Sequence, residues 1–554
     1  MRLGFLLLLF FICPLLADGT AREIDVAGSP RVEHRDGAPV LIEGIILVPG
    51  GVGGDSVEQV PGVHSLLDEP VDQELFDSLR VYLNHPLSEE LLKKIRVTIT
   101  DYFKNYKNQY VAVIIPVQNV NDGVVVFQVF IGKVGNVIYK GQKWFTQKCL
   151  EKAIRIYPGD PMVEPDLLNA VTWANRNAFR STRMILAPSL EKGLTDVLFV
   201  TKDRFPARFF VGSDNTGYRT NGTIRLYGGF NWGDVFWSGD LVSYQYTAST
   251  DFHKFQSHIA TYNCFISSKK HLLKLFGVYG SVFPQIRGFA VSGINVQGSL
   301  RYQIPFLPLY GSFRHQTEWG GDYKYLTSNL FFLGDAAQGG TATGTHTITV
   351  SQLASSYFCE RNWPKDYLSF KIDMLISPWQ NLFPHQNKAS YDASRQSSHV
   401  RYAYWRGMIS NIYRSEKKVT LSIQAQGQLA TGTLPTSEQF GLGGFNTVRG
   451  YYEQQFVADN AFCLNVEVFA PSFPILKNLS NELALVAFVD YGYGYNYSVS
   501  LPVFVHQNLL GVGGGARYVV SRYLDAEAYY GFQGLAIEGN AQLGRFHFSL
   551  TASY

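Results

Sequence analysis

The chemistry that this chain could perform centres on one arginine and one aspartate in its C-terminal third. Arg449 stands in the tetrad Val448-Arg449-Gly450-Tyr451, within the segment 440–471, and Asp490 follows in 487–492. A buried guanidinium is costly unless a carboxylate or ordered dipoles receive it, and its planar fork binds a carboxylate through two parallel bonds. The two residues therefore predict an ionic latch between a loop tip and a wall. Such a latch is typical of a plugged or gated pore and not of an enzyme site.

Motifs of the common hydrolytic and nucleotide-binding sites are missing from the sequence. It contains neither H-E-x-x-H nor G-x-S-x-G, and Gly132-Lys133 lacks the upstream glycine and the following Ser or Thr of a phosphate-binding loop. The 12 histidines are scattered, and isolated ones such as His258 and His547 are interpreted as wall residues that face an aqueous lumen. We therefore predict no catalytic residue, no metal site, no cofactor and no enzyme activity.

The cysteines give no metal-binding pattern either. Cys149, Cys264, Cys359 and Cys463 are spaced far more widely than the ligands of a zinc site. Three disulfide pairings are conceivable for four cysteines, but scattered thiols in buried or wall positions are the favoured interpretation.

The composition narrows the class of protein. The chain has 554 residues and a net charge of +3, which offers no electrostatic basis for a nucleic-acid partner. It carries 39 Phe, 33 Tyr and 8 Trp, with only 17% charged residues. No segment after the N-terminal one approaches the ~20 apolar residues of a membrane-spanning helix. An outer-membrane β-barrel has this composition, because its strands alternate and never build a long apolar run. A large soluble β-protein is the alternative.

From Phe205 onward the sequence alternates between apolar and polar side chains. The stretches 368–374, 419–426 and 524–530 each place apolar residues on one face and polar or charged residues on the other. This pattern suits a strand with lipid on one side and water on the other. The final stretch keeps an apolar face and ends on Tyr554, as expected of a strand that closes a barrel. Residues 205–554 would supply roughly sixteen antiparallel strands at ~22 residues for each strand and its connection.

The N-terminus predicts export from the cytoplasm. Arg2 precedes the short apolar run from Leu3 to Ala17, and small residues around 19–21 offer a cleavage site. We assign 1–21 to a signal peptide and the polar residues 22–37 to a flexible leader. Cys13 raises the alternative of a lipoprotein, which is disfavoured because the bulky Ile12 precedes it.

Two small domains are predicted between the leader and the barrel. Each repeats the order strand, helix, helix, strand, strand, over residues 38–131 and again over 132–204. The predicted elements of the first are 40–48, 72–83, 88–104, 110–116 and 123–131. The sheet edges of such domains can accept an extended peptide as an added strand.

Several ordered motifs give this chain a resemblance to a known family. Together with the two domains and the barrel, they resemble the two-partner secretion transporters, called TpsB proteins and typified by haemolysin and filamentous-haemagglutinin exporters. These transporters belong to the superfamily of POTRA-bearing outer-membrane barrels. The residues that carry the resemblance are Pro116, Gln118 and Gly123 in the first small domain, Asp214, Asn215, Gly217, Gly222 and Arg225 at the start of the barrel, and Gly443, Gly444, Val448, Arg449, Gly450, Tyr451, Glu467 and Pro471 around the tetrad.

The resemblance implies roles for the latch residues. The tetrad would form the tip of the sixth extracellular loop, around 440–460, and this loop would fold back into the barrel. Phe488, Asp490 and Gly492 match the family's F-x-D-x-G motif, whose aspartate would receive the arginine. The alternation supports this placement, since residues 483, 485, 487, 489 and 491 form an apolar face and leave Phe488, Asp490 and Gly492 toward the lumen. The short leader 22–37 argues against the pore-blocking helix of many family members.

The implied function is type V export of an unfolded partner protein across the outer membrane of a Gram-negative-type envelope. The POTRA-like domains would hold the cargo in the periplasm, and a barrel gated by the Arg449-tipped loop would pass it. Periplasmic chaperones, the barrel-assembly machinery and outer-membrane lipid are the other expected partners, with no nucleic acid. The alternatives are an insertase of the same superfamily, whose members usually carry three to five small domains, and a passive porin, which would need neither the domains nor the loop.

Overall fold

The fold is that of a computed structural model, which describes residues 40–554 except 108, 192–193, 219, 284, 287–288, 307–312, 333–340, 478, 498–504 and 537–542. The predicted signal peptide 1–21 and leader 22–37 lie outside the described residues. Within the described part of the chain, no helix is both long enough and apolar enough to cross a membrane.

The first small domain is a four-stranded sheet with two helices. The strand order is β2-β1-β4-β3, and the central β1 runs parallel to both β2 and β4. Ile45 and Leu47 of β1 are buried against the helices, and Ile46 and Val48 are buried in a smaller apolar cluster on the other face of the sheet. The elements are β1 (Gly44–Pro49), β2 (Gly62–Ser65), α1 (Gln73–Arg80), α2 (Glu89–Asn105), β3 (Val111–Ile114) and β4 (Val124–Ile131).

The strand β2 is an addition to the predicted order of elements. Its sequence, Gly-Val-His-Ser, lies between the predicted elements 40–48 and 72–83, and four residues are too few to show alternation. It forms only because the edge of β1 is available for parallel pairing, from Gly44 opposite Gly62 onward. The first domain therefore has the order β-β-α-α-β-β.

The family-motif residues of this domain bind backbone groups of neighbouring segments and so fix their positions. The side chain of Gln118 imitates a strand, since its Nε2 donates to Val126 O at 2.8 Å and its Oε1 accepts from Val126 N at 2.7 Å. Pro116 precedes it, and a Cβ at Gly54 would meet both side chains. Gly123 has a φ of +72°, and its carbonyl accepts from Glu43 N at 2.8 Å.

Replacing Gln118 tests this role. Gln118→Leu is expected to destabilise the first domain by about 1–3 kcal/mol, because the buried Val126 N–H and C=O lose their partner. Limited proteolysis of the full-length protein over a temperature series measures the effect. The exposed Gln73→Leu on α1 is the control, and equal protease sensitivity of the two variants contradicts the assignment.

The second small domain follows without a linker. It contains β5 (Lys133–Lys140), α3 (Gln147–Ile154), α4 (Glu164–Ala174), β6 (Arg180–Pro188) and β7 (Leu194–Asp203), in the predicted order. The three strands form a sheet of order β5-β7-β6, in which β5 and β7 are parallel. By contacts between residues, the chain forms two compact units. Residues 142–153 and 174–181 group with 202–554, whereas 154–173 and 182–201 group with the chain up to 141.

The rest of the chain is a closed antiparallel barrel of sixteen strands, with β12 continued by the two-residue β13. This confirms the predicted fold class. The strands are β8 (Ala207–Asp214), β9 (Arg225–Val235), β10 (Asp240–Ser249), β11 (Phe255–Ile266), β12 (His271–Val282), β13 (Gln285–Ile286), β14 (Phe289–Pro305), β15 (Arg314–Phe332), β16 (Thr341–Asn362), β17 (Asp366–Ser377), β18 (Tyr402–Arg414), β19 (Thr420–Ala430), β22 (Asn460–Phe469), β23 (Asn481–Tyr495), β24 (His506–Val520), β25 (Leu524–Gln533) and β26 (Gly544–Ser553). Two short strands, β20 (Phe440–Leu442) and β21 (Phe456–Ala458), and the helix α5 (Lys388–Ser394) lie in loops.

The barrel closes where β26 pairs with β8, from Ser549 opposite Asp214 to Ser553 opposite Phe210. The last residue extends this seam. Tyr554 N donates to Phe209 O at 2.9 Å, and Phe209 N donates to Tyr554 O at 3.0 Å. The side chain of Tyr554 is exposed on the outside. Pairing the first and last strands leaves the barrel without an open edge.

The apolar face of each strand points outward, as shown by exposed side chains such as Val211, Trp319 and Leu485. His258 lies on this outward face, in register with Tyr246 and Tyr279, and its Nδ1 is 2.7 Å from Tyr244 Oη. The prediction that His258 faces the lumen is therefore wrong. The neighbouring tyrosines explain why a histidine is tolerated there, since they supply both stacking and a hydrogen bond.

Candidate functional site

The candidate site is built by the loop between β19 and β22, residues 431–459, which we call loop 6. It begins and ends at the same end of the barrel as the loop 378–401, which contains α5 and which we call loop 5. The strands β20 and β21 pair as a small hairpin inside loop 6, from Phe440 opposite Ala458 to Leu442 opposite Phe456. This hairpin carries residues 443–455 down the inside of the barrel, where its tip packs against β22 to β26.

The guanidinium of Arg449 meets Asp490 at the bottom of this tip. Nε donates to Oδ2 and Nη2 donates to Oδ1, each at 2.7 Å, and the backbone N–H of Arg449 donates to Oδ2 at 3.0 Å. Arg449 is 4% exposed and Asp490 is 0% exposed. The structure thus brings together the two residues that the sequence singled out, with the two-bond geometry that distinguishes arginine from lysine.

Three further side chains complete the arrangement, which we call the tip latch. Arg449 Nη1 donates to Glu467 Oε1 at 2.6 Å, and the guanidinium lies 3.5 Å from the centre of the Phe488 ring. Asn465 Nδ2 donates to Asp490 Oδ1 at 2.8 Å. One cation therefore bridges two wall carboxylates and stacks on an aromatic ring, an arrangement that stabilises a buried arginine. Glu467 was singled out as a structural motif residue, and its direct contact with Arg449 was not predicted.

The remaining tetrad residues fix the position of the tip. Val448 is buried against Gly492, where a Cβ would lie 2.8 Å from a Val448 methyl group. Gly450 has a φ of +96° and its N–H donates to Nε2 of the buried His547 at 3.1 Å. Tyr451 Oη donates to Leu535 O at 2.6 Å. His547 thus lies on the inner wall, as predicted, and holds the tip, which was not predicted.

Two wall glycines let the tip approach the backbone of β24 and β25. A Cβ at Gly511 would lie 2.0 Å from Arg449 O, and one at Gly531 would lie 2.6 Å from Gly450 N. Gly511→Ala is therefore expected to displace the tip and to reduce strongly the secretion that the resemblance implies. The matched control is Gly407→Ala on β18, where a Cβ meets no atom within 4 Å. Secretion assays and barrel heat-modifiability measure both variants, and a fully active Gly511→Ala protein contradicts the close approach.

The motif at the start of the barrel organises the first loop, 215–224. Asn215 closes the seam, since its Oδ1 accepts from Phe548 N at 3.0 Å and its Nδ2 donates to Phe546 O at 2.7 Å. The buried Asp214 accepts from Thr216 N at 2.9 Å. The loop wraps around the Arg225 guanidinium, which donates to Gly222 O at 2.6 Å. Gly217 leaves the space that this guanidinium occupies.

The base of loop 6 carries a second buried network, which sequence reasoning missed. Glu438 is 0% exposed and accepts from Lys324 Nζ at 2.8 Å, Tyr404 Oη at 2.7 Å and Gln352 Nε2 at 3.0 Å. The backbone carbonyl of Glu438 accepts from Arg406 Nη2 at 2.9 Å. We call this set the base latch. No signal in the sequence marks it, because Lys324 precedes Glu438 by 114 residues and neither residue stands in a motif.

A third ion pair joins loop 6 to loop 5. Arg395 donates to both oxygens of the buried Asp459, at 2.5 and 2.9 Å, and its Nη1 also donates to Leu434 O. Asn496 contributes as well, with Oδ1 accepting from Arg395 Nη2 at 3.1 Å and from Asp459 N at 3.1 Å. The two loops are therefore one connected structure at this end of the barrel.

The four cysteines described in the structure are free thiols, as the favoured interpretation expected. Cys149 and Cys463 are buried, and burial raises the pKa of the Cys149 thiol, which keeps it protonated and unreactive. Across the described ranges, no group of three or more His, Cys, Asp or Glu side chains could hold a metal ion.

Solved structures with the same fold support the architecture. CdiB from Escherichia coli matches with a TM-score of 0.75 and 14% sequence identity, covering 95% of this chain and 94% of that chain. CdiB from Acinetobacter baumannii matches with a TM-score of 0.65 and 16% identity, covering 95% and 93%. At these identities the likeness shows the shared fold.

Two comparisons at the level of sequence point to the same family. The heme/hemopexin transporter protein HuxB of Haemophilus influenzae (strain 86-028NP) is 23% identical over 469 residues, which are 81% of this chain and 78% of that protein. The profile of the family described as haemolysin secretion/activation protein ShlB/FhaC/HecB matches residues 370–518, the region that contains loop 6, Glu467 and Asp490. Together with the solved structures, these matches support a two-partner secretion transporter of the Omp85 superfamily.

These comparisons also support a location and a general activity. The protein is a transporter of the outer membrane and not an enzyme, and the family implies a secreted protein as its cargo. The POTRA domains of such transporters are periplasmic, so the barrel end at which β8 begins is the periplasmic end. Loops 5 and 6 therefore start at the cell-surface end.

Proposed function

We propose that this transporter exports an unfolded partner protein through its barrel, and that the docked, Arg449-tipped loop 6 sets the transport-competent state of the pore. The observation that carries the proposal is the buried tip latch, in which Arg449 bridges Asp490 and Glu467. A cation bound by two carboxylates is directional and strong, so it holds the tip at one place on the wall. The tip in turn determines how much of the lumen is left for a polypeptide.

The POTRA-like domains are proposed to hold the cargo before it enters the barrel. In the described sheets, β2 and β3 are the edges of the first domain, and β5 and β6 are the edges of the second. An extended peptide can add to such an edge through main-chain hydrogen bonds, which keeps it unfolded and does not depend strongly on its sequence. The second domain precedes the barrel directly and is proposed to pass the cargo into the lumen.

The free energy for export is proposed to come from folding of the cargo outside the cell. A periplasm supplies no ATP, and the sequence carries no nucleotide-binding motif. A folded domain is more stable than its unfolded chain by about 5–15 kcal/mol, which is enough to bias the direction of a passage that is otherwise reversible. Outward-facing apolar residues such as Trp319 are proposed to contact lipid, and chaperones and the barrel-assembly machinery to serve biogenesis.

A deletion strain tests the proposed function. Removing the gene is expected to eliminate one large protein from the extracellular medium or cell surface, and a plasmid copy is expected to restore it. Quantitative proteomics of the secreted fraction makes the measurement. A deletion that leaves every secreted protein in place, but lowers the amounts of several other barrels in the outer membrane, would instead indicate an insertase.

A further inference from the structure

Loop 6 is attached to the barrel at two separated places. The tip latch holds residues 448–451, and the base latch holds Glu438. Between loop 5 and the base of loop 6 there is also a small apolar core. Its buried members come from both loops and from three strands and are Ile348, Val350, Tyr391, Val400, Tyr402, Tyr404, Ala430 and Leu434. Loop 6 is therefore a packed part of the barrel interior.

Undocking loop 6 would break several buried ion pairs. Asp490, Glu438 and Asp459 are each 0% exposed, and each is bonded to one cation. Hydrogen bonds between charged partners are stronger than those between neutral ones. Moving the whole loop out of the lumen would have to break such bonds at the tip and at the base together.

The opposite side of the lumen is lined differently. We call it the open wall, and it consists of charged residues on β12, β14, β15 and β17 that are paired with each other. Lys274 bonds Glu318 at 2.6 Å, and Lys371 bonds Asp373 at 2.8 Å. Their side chains share the inner face with Lys324 and Arg406, the wall residues of the base latch. The members are Lys274, Arg301, Glu318, Asp322, Lys371 and Asp373.

Part of the open wall is hydrated. The side chains of Lys274 and Lys371 are 34% and 31% exposed, whereas those of Arg301 and Asp322 are 17% and 3% exposed. On the opposite wall loop 6 buries the side chain of Arg449 against Asp490, while Arg517 on β24 remains partly exposed, so loop 6 covers only the part of that wall that its tip contacts. The six members of the open wall carry three positive and three negative charges that pair with each other, so an extended polypeptide meets polar groups whose charges are compensated.

We propose that loop 6 stays docked during export and that the unfolded cargo passes along the open wall, on the side formed by β12 and β14. This inference rests on the proposed function, since it specifies the path of the cargo through the same pore. The Arg449-tipped loop then acts as a fixed partition of the lumen, and transport competence means that the partition is in place. The open wall contacts an extended segment of the secreted partner protein. It contacts the backbone of that segment and does not recognise a particular side chain.

A reversible tether tests whether loop 6 must leave. Gln426 on β19 lies 3.5 Å from the backbone oxygen of the exposed Asn446, and neither residue belongs to a latch. Q426C and N446C are combined in a chain whose Cys149, Cys264, Cys359 and Cys463 are replaced by Ala. The two new thiols are oxidised to a disulfide, and a bismaleimide links any pair that remains reduced. Secretion by the linked protein is expected to equal that of the Q426C single variant. A loss on the order of tenfold or more on linkage, reversed by reduction of the disulfide, would overturn the proposal.

Photocrosslinking separates the path from the proposed function. A photoreactive amino acid is placed at Ser299 on the open wall, at Gln426 beside loop 6, and at the outward Leu300 as the lipid-facing control. With cargo stalled during export, Ser299 is expected to link the cargo and Gln426 to link only loop 6. Linkage of cargo at Gln426 overturns the proposed path. Linkage at neither inner position while secretion proceeds contradicts export through the lumen, and hence the proposed function itself.

Discussion

Arg449→Ala is expected to lower secretion of the partner protein on the order of 100-fold while the barrel still folds. Removing the guanidinium leaves Asp490 buried without its cation, a loss that typically costs about 3–5 kcal/mol, and each 1.4 kcal/mol changes an equilibrium about tenfold. The substitution removes two side-chain bonds to Asp490 and one to Glu467, so the docked position of loop 6 is no longer favoured. Only the bond from the backbone N–H of residue 449 to Asp490 can still form in the variant.

Two comparisons make this result interpretable. Arg517→Ala removes another inner-wall arginine, which pairs with Asp525 and Glu527 and is more exposed, and it is expected to have a small effect. Arg449→Lys keeps the charge but loses the two-bond fork, so it is expected to restore only part of the activity.

Heat-modifiability in gels separates a role in transport from a role in assembly. A folded but inactive Arg449→Ala barrel supports the transport role, and an unfolded one shows that the latch only braces the barrel. Secretion at the level of the unchanged protein contradicts both hypotheses.

The sequence predicted the tip latch because successive side chains of a strand point to opposite faces of the sheet. Residues of β23 alternate, so the apolar set that includes Leu485 and Val489 placed Asp490 on the inner face before any contact was known. Few carboxylates lie on that face and few arginines lie in a glycine-rich loop, so the two partners can be paired by inspection of the sequence. The same rule failed for His258, because the tyrosines that make an outward histidine tolerable lie on neighbouring strands.

The base latch could not be predicted for a physical reason. Glu438 lies in an irregular part of loop 6, where no alternation assigns a direction to its side chain. Its partners Lys324, Gln352 and Tyr404 lie on three strands, at separations of 114, 86 and 34 residues. Contacts of this kind follow from barrel register, which a single sequence does not determine. β2 was missed for a related reason, since its pairing with β1 is set by the sheet and not by its own four residues.

The base latch gives the second large effect, and a double substitution tests it. Lys324→Met is expected to destabilise the docked base of loop 6 by about 3–5 kcal/mol, because Glu438 stays buried without its cation. The double variant Lys324→Met with Glu438→Gln is expected to recover most of this loss. It removes both charges while Tyr404 and Gln352 keep hydrogen-bond partners at the same place. The measurements are the temperature at which the folded band disappears in heat-modifiability gels and the amount of secreted partner.

The matched control is Lys371→Met with Asp373→Asn, which removes an ion pair of similar length from the open wall. Because those side chains remain partly hydrated, each single variant there is expected to change the unfolding temperature little. If Lys324→Met is as mild as Lys371→Met, water reaches Glu438 and the base of loop 6 is not a closed interior. If Lys324→Met loses secretion and the double variant recovers it, the unpaired carboxylate of Glu438 is the cause of the loss. That result would mean that a docked loop 6 base is required for export, as a fixed partition of the lumen demands.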